Sequence, residues 1–167
     1  GHGVRNLINQ TLPGLEPNEL DKALDIFRGY YTEHCVDETT VYLGVADVLK
    51  YFKSKAMAVV SNKPSPFTKK ILEKKGIIGY FKIILGEESH PKKKPDPEPL
   101  LYVAEQLGIE PKASCMVGDW ITDVEAGKRA GMVTVGCTYG IGNKEELVSY
   151  KPDYLVDSII ELKDIIE

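Results

Sequence analysis

The run Cys115-Met116-Val117-Gly118-Asp119-Trp120-Ile121-Thr122-Asp123-Val124-Glu125-Ala126-Gly127-Lys128-Arg129-Ala130-Gly131-Met132-Val133-Thr134-Val135-Gly136 decides the fold class. It opens on a short apolar strand, Cys115 to Gly118, and closes on a second, Met132 to Gly136. Between them the pattern is helical over 121–130, and Gly131 stands where a helix-ending glycine belongs. Strand, helix, strand in so short a span is a crossover unit, the connection that parallel strands require and that hairpins do not.

Reading outward, the same alternation continues on both sides. Further strands are expected at Met57 to Ser61, Lys82 to Leu85 and Tyr154 to Val156, with helices near 43–54, 66–75, 97–107, 143–149 and 158–166. Ser65-Pro66 and Asp96-Pro97 supply N-cap and first-turn proline, and Gly76 and Gly108 close the helices they follow. The first forty residues differ. Val4, Leu7, Ile8 and Leu12 keep helical spacing until Pro13-Gly14, and Leu20, Ala23, Leu24, Phe27, Tyr30 and Tyr31 mark a second amphipathic helix with Asn18 as its expected N-cap. The organisation is therefore a two-helix unit over 1–40 and an α/β unit over 41–167.

Composition bounds the function. The chain has 167 residues, 43% hydrophobic and 28% charged, with a formal net charge of −4, which is the profile of a globular protein and not of a disordered chain or a nucleic-acid binder. No apolar run approaches the roughly 18 residues of a membrane span, and Gly1-His2-Gly3-Val4 does not open a signal peptide. Cys35, Cys115 and Cys137 are odd in number and far apart, which suits reduced thiols in a cytoplasmic protein, and neither they nor His2, His34 and His90 have metal-site spacing.

In an open parallel sheet, ligands sit beyond the carboxyl ends of the strands. The first strand ends in Ser61-Asn62-Lys63 and the next helix starts at Ser65-Pro66, so a hydroxyl, an amide and helix N-terminal N–H groups are expected to converge on an anion. Beyond the second strand, Lys94 stands out from Lys92 and Lys93. Pro95 restricts its backbone and a helix begins at once, so it can offer a fixed positive charge to a phosphate. After Gly118, Asp119 and Asp123 lie four apart at a helix start with no basic residue between them, which suits a hard cation such as Mg²⁺. Two solvated acids favoured by the helix dipole give the same spacing. Gly140-Ile141-Gly142 lacks the third glycine of a dinucleotide loop, and no phosphate-binding G-x-x-x-x-G-K-[ST] occurs.

The order of these elements resembles the haloacid dehalogenase (HAD) superfamily. Residues 57–63 are similar to its apolar strand ending in Ser or Thr, Lys94-Pro95-Asp96-Pro97 to its Lys-Pro-x-Pro element, and Val117-Gly118-Asp119-Trp120-Ile121-Thr122-Asp123 to its acidic motif. Gly1-His2-Gly3-Val4-Arg5 and the helices that follow look like the helical cap of the phosphoglycolate phosphatase branch. The resemblance implies a HAD-like Rossmannoid parallel sheet with helices on both faces, over 41–167, and a partial helical cap over 1–40. It implies a Mg²⁺-dependent phosphatase working through an aspartyl-phosphate on a small phosphorylated metabolite. In that scheme Ser61 and Asn62 contact the phosphoryl group, Lys94 bridges phosphate and nucleophile, Asp119 binds Mg²⁺, and Asp123 binds it or orients its water. Arg5 is the candidate for a substrate carboxylate, with a solvated surface arginine as the alternative.

Two departures from the family pattern stand out. Trp120 occupies a position where the family often has a small hydroxyl residue. More consequentially, no D-x-D-x-[TV] segment occurs, so the nucleophile and its central strand are expected to lie upstream of Gly1, leaving this chain an inactive piece of a longer enzyme. The family order puts that strand between those at 57–61 and 115–118, and the 29-residue stretch 86–114 is long enough to cross over it. Other readings stay open: a phosphosugar mutase or pyrophosphatase on the same scaffold, or a non-catalytic anion-binding protein. A phosphorylation receiver is disfavoured, because its acidic pair comes first and its lysine last.

Overall fold

The computed structural model describes residues 3–166. Two helices, α1 (Val4–Thr11) and α2 (Pro17–His34), pack on each other through Ile8, Leu20 and Leu24, with Val4, Leu15, Ala23 and Phe27 around them. The N-cap of α2 is Glu16 and not Asn18. Glu19 turns its carboxylate back onto the Glu16 N–H at 3.0 Å, and Pro17 fills the first turn, where its missing N–H costs nothing.

The α/β unit follows as α3 (Val45–Tyr51), β1 (Ala58–Val60), α4 (Ser65–Lys74), β2 (Ile83–Leu85), α5 (Glu98–Leu107), β3 (Cys115–Gly118), α6 (Ile121–Arg129), β4 (Val133–Cys137), α7 (Lys144–Ser149), β5 (Tyr154–Val156) and α8 (Leu162–Ile165). All strand pairs are parallel. The expected elements are present, most with trimmed ends; α4 starts one residue earlier, at Ser65, and β4 is displaced by one residue, to Val133–Cys137. The stretch near 158–166 splits into a 3₁₀ turn, Ile159–Glu161, and α8, because Ser158 caps the turn through the Ile160 N–H. Gly108 closes α5 in the left-handed region at φ 66°, where a side chain would be strained.

The strands form two sheets, β1 with β2 and β3-β4-β5. Among the described residues β1 and β3 each keep one edge without a strand partner, which accords with a HAD-like sheet whose central strand is not in this chain. Both strands are only half-buried along their length, whereas β4, paired on both sides, is buried at Thr134 to Cys137. Helices cover both faces. Val135 and Cys137 point to α3 and α8, with Val48, Phe52, Val156 and Leu162. On the other face Leu100, Ala126 and Ala130 pack with Val60, Met116 and Met132, so α5 and α6 span from β1 to β3. No described helix is long and apolar enough to cross a membrane.

Candidate active site

Asn62, Lys94 and Asp123, singled out from the sequence, come together at the carboxyl ends of β1 and β3, with Ser61 next to Asn62 in the chain. At the end of β1, the Ser61 N–H donates to the Leu85 carbonyl at 2.9 Å, and Ser61 Oγ accepts the Lys63 N–H at 3.1 Å. Accepting that bond orients the hydroxyl and leaves its proton to donate. Asn62 clasps the backbone of Lys94 on both sides: its Nδ2 donates to the Lys94 carbonyl at 2.8 Å, and its Oδ1 accepts the Lys94 N–H at 3.1 Å. The side chain thus acts on the position of Lys94. Lys94 precedes Pro95 through a cis peptide bond.

The Lys94 side chain is buried, while its neighbours are not. Lys92 reaches Glu98 and Asp96, and Lys93 reaches Glu87 at 2.9 Å, all at the surface. Lys94 Nζ instead donates to the Val60 carbonyl at 2.5 Å and to Asp123 Oδ1 at 2.7 Å, joining the end of β1 to the first turn of α6. An ammonium has three donors, so one remains. No basic residue stands between the two acids in sequence, but in space a lysine meets one of them. Lys94, distant in sequence, sits on Asp123, and spacing within one segment cannot register it.

Asp123 is buried, and its second oxygen accepts the Trp120 N–H at 3.1 Å, capping α6. Gly118 is needed just behind it, since a Cβ there would lie 2.2 Å from Asp123 Oδ2. Asp119 stands before the helix and is held separately: its Oδ2 accepts the N–H groups of Ile141 at 2.8 Å and Gly142 at 3.3 Å. Next to this loop, burial pushes the Cys137 thiol up, and burial and the hydrogen bond to Cys137 push the Tyr139 hydroxyl up, so both stay neutral at ordinary pH.

One expectation changes. The N-terminus of α4 does not present its first N–H to solvent: Ser65 N donates to both oxygens of Glu88, at 2.9 and 3.0 Å, so the chain's own carboxylate takes the anion position. Gly86 permits this, because a Cβ there would fall 2.3 Å from Ser65 N. Arg5 donates to Asp21 Oδ1 at 2.6 Å within the α1–α2 pair, an exposed contact. The start of that pair nevertheless lies by the loop after β2, with Gly3 against the side chains of Glu87 and Lys93.

Comparison with known proteins bears on this arrangement. The model of the family described as haloacid dehalogenase-like hydrolase matches residues 2–137, well over half of the chain. The chain belongs to that family. A phosphoglycolate phosphatase of Nitrosococcus oceani is 36% identical over 99% of this HAD chain and 77% of its own length. That of Escherichia coli is 39% identical over 82% of the chain, which spans about half, 55%, of the relative's length. Among solved structures, a predicted phosphoglycolate phosphatase from Haemophilus somnus superposes with a TM-score of 0.91 at 30% identity, covering 100% of this chain and 79% of the other.

HAD phosphatases generally use Mg²⁺, and the donor set can be tested against it. Among the described residues no group of three or more His, Cys, Asp and Glu side chains could hold a metal ion. Mg²⁺ needs less, since one or two carboxylates suffice when phosphate and water complete its octahedron. Asp119, with Oδ2 tied to the backbone and Oδ1 accepting no hydrogen bond among the described residues, fits a direct ligand. Asp123, with both oxygens engaged, fits a positioning role. The carbonyl of Val60, the Glu88 cap and the 140–142 loop were not legible as site components. The glycines of that loop are the signal that the sequence carries for it.

Proposed function

We propose that this protein is a phosphatase for a small phosphorylated acid of the phosphoglycolate type, acting in the cytoplasm with Mg²⁺. The observation that carries the reading is the buried Lys94–Asp123 pair, hydrogen-bonded to the Val60 carbonyl at the end of β1, one residue before Ser61. A charge held in a site of low water content is worth more than one in solvent, and phosphoryl transfer is driven mainly by such positioning. In this reading the remaining N–H of Lys94 and the hydroxyl of Ser61 donate to oxygens of the transferring phosphoryl group. Asn62 keeps Lys94 in register, and Asp123 keeps its ammonium oriented. Asp119 holds the Mg²⁺, which supplies charge neutralisation to the phosphoryl oxygens. The α1–α2 pair acts as a partial cap over the site, with Arg5 released from Asp21 to meet a substrate carboxylate.

No D-x-D segment lies in these residues. The nucleophile of an aspartyl-phosphate route is therefore assigned to a strand that they do not include, seated between the open edges of β1 and β3, and the chain by itself is inactive. The test is release of inorganic phosphate from 2-phosphoglycolate with Mg²⁺ by this chain alone and by the chain supplied with a D-x-D-x-[TV] strand. Turnover is expected only in the second case and lost in Asp119→Asn. Turnover by the chain alone, or undiminished turnover in Asp119→Asn, overturns the reading.

A further inference from the structure

The loop Gly140-Ile141-Gly142 follows β4 and lies against Asp119 more closely than any side chain would allow. A Cβ on Gly140 would stand 2.3 Å from Asp119 Cβ, and one on Gly142 only 1.8 Å from the Asp119 carbonyl oxygen. Neither glycine has a positive φ, so the requirement is for space and not for an unusual backbone conformation. Between them, Ile141 is 81% exposed. Burial of Ile141 therefore does not explain the approach. What the approach does achieve is to bring two consecutive N–H groups, of Ile141 and Gly142, onto a single oxygen, Asp119 Oδ2.

Two donors on one oxygen fix the plane of a carboxylate and leave its other oxygen to a ligand. We propose that the 140–142 loop is a positioning element, whose backbone N–H groups orient Asp119 for a divalent cation. This rests on the assignment of Asp119 as the metal ligand. The physics is that of a metal site's outer shell, where hydrogen bonds to the far atom of a ligand set its orientation. Gly140 and Gly142 act only by permitting the approach, and Ile141 acts through its N–H.

The backbone role can be separated from a side-chain role. Mn²⁺ is titrated into the chain, free Mn²⁺ is followed by electron paramagnetic resonance, and Trp120, the one tryptophan and the neighbour of Asp119, is followed by fluorescence. Ile141→Pro removes one donor and is expected to weaken Mn²⁺ binding ~10-fold, the lower end for loss of an outer-shell partner. Ile141→Val keeps the N–H and is expected to bind as the unaltered chain does. Gly142→Ala pushes the loop off Asp119 by a different route and is expected to weaken binding at least as much, with circular dichroism reporting that the fold is kept. If Asp119→Asn abolishes binding while Ile141→Pro and Gly142→Ala retain it, the positioning role is overturned and the metal assignment stands. If Asp119→Asn binds Mn²⁺ unchanged, or the unaltered chain binds none, the metal assignment itself fails and the inference with it.

Discussion

Lys94 and Asp123 form an ion pair whose side chains are 8% and 10% exposed. Removing one partner strands the other charge in the interior, so Lys94→Met is expected to cost ~3–5 kcal/mol in urea unfolding. The double variant Lys94→Met/Asp123→Leu is expected to lose less than the single one, since no unpaired charge remains. Thr134 is fully buried on β4. Its hydroxyl and N–H both donate to Asp153 Oδ2, at 2.7 and 2.8 Å, and its oxygen accepts the Asp153 N–H at 3.0 Å. The hydroxyl first, then the N–H, holds the Asp153 carboxyl below the usual carboxylate range. A depressed carboxyl contributes stability above its unfolded pKa of ~3.9, and that contribution is lost as pH falls through the lower folded value. Unfolding midpoints compared at pH 6 and pH 3 are expected to drop less in Thr134→Val than in the unaltered protein. In the sequence Thr134 is part of an apolar strand. Its polar role depends on a partner in another segment.

At the scale of elements, α6 lies on β3 and β4 through glycine. A Cβ on Gly127 would come within 2.7 Å of Thr134 Cγ2 and 2.9 Å of Met116 Cβ. Gly127→Ala is therefore expected to destabilise by ~1–3 kcal/mol through overpacking, although alanine is the better helix former, and thermal unfolding gives the sign directly. The small residues Ala126, Gly127 and Ala130 are a local signal for this close helix, because what matters is side-chain size at fixed helical spacing. Helix starts were less legible. Asn18, Ser65 and Asp96 were each the best capping residue nearby, yet Glu16, Pro64 and Pro97 take the N-cap positions. Proline in the first turn and a returning Glu19 carboxylate outweighed the ordinary preference for a short polar cap. Asp96 still serves its helix, accepting the Glu98 N–H at 3.0 Å.

Across the whole molecule, lysines hold the C-terminal half of α2 to the α/β unit. Lys63 hydrogen-bonds the Tyr31 hydroxyl and lies 4.7 Å from the centre of that ring, which meets Phe67 edge-on. Lys70 donates to the Thr32 carbonyl and Lys75 to that of Val36, where the helix dipole favours positive charge. The combined variant Lys63→Met/Lys70→Met is expected to open this junction, seen as faster proteolysis within residues 35–44, while the unfolding of the α/β unit stays unchanged. Length and period determined that unit from sequence alone. Apolar runs too short to be helices, separated by helical stretches, admit only a parallel sheet, and strand ends in such a sheet mark the site. Tertiary structure decided the partners: Lys94 on Asp123, Glu88 on α4, and the 140–142 loop on Asp119. Hydrophobic periodicity is a local property of the chain, readable along it. A hydrogen bond between distant segments depends on distances of a few tenths of an ångström, and only the packed fold sets those.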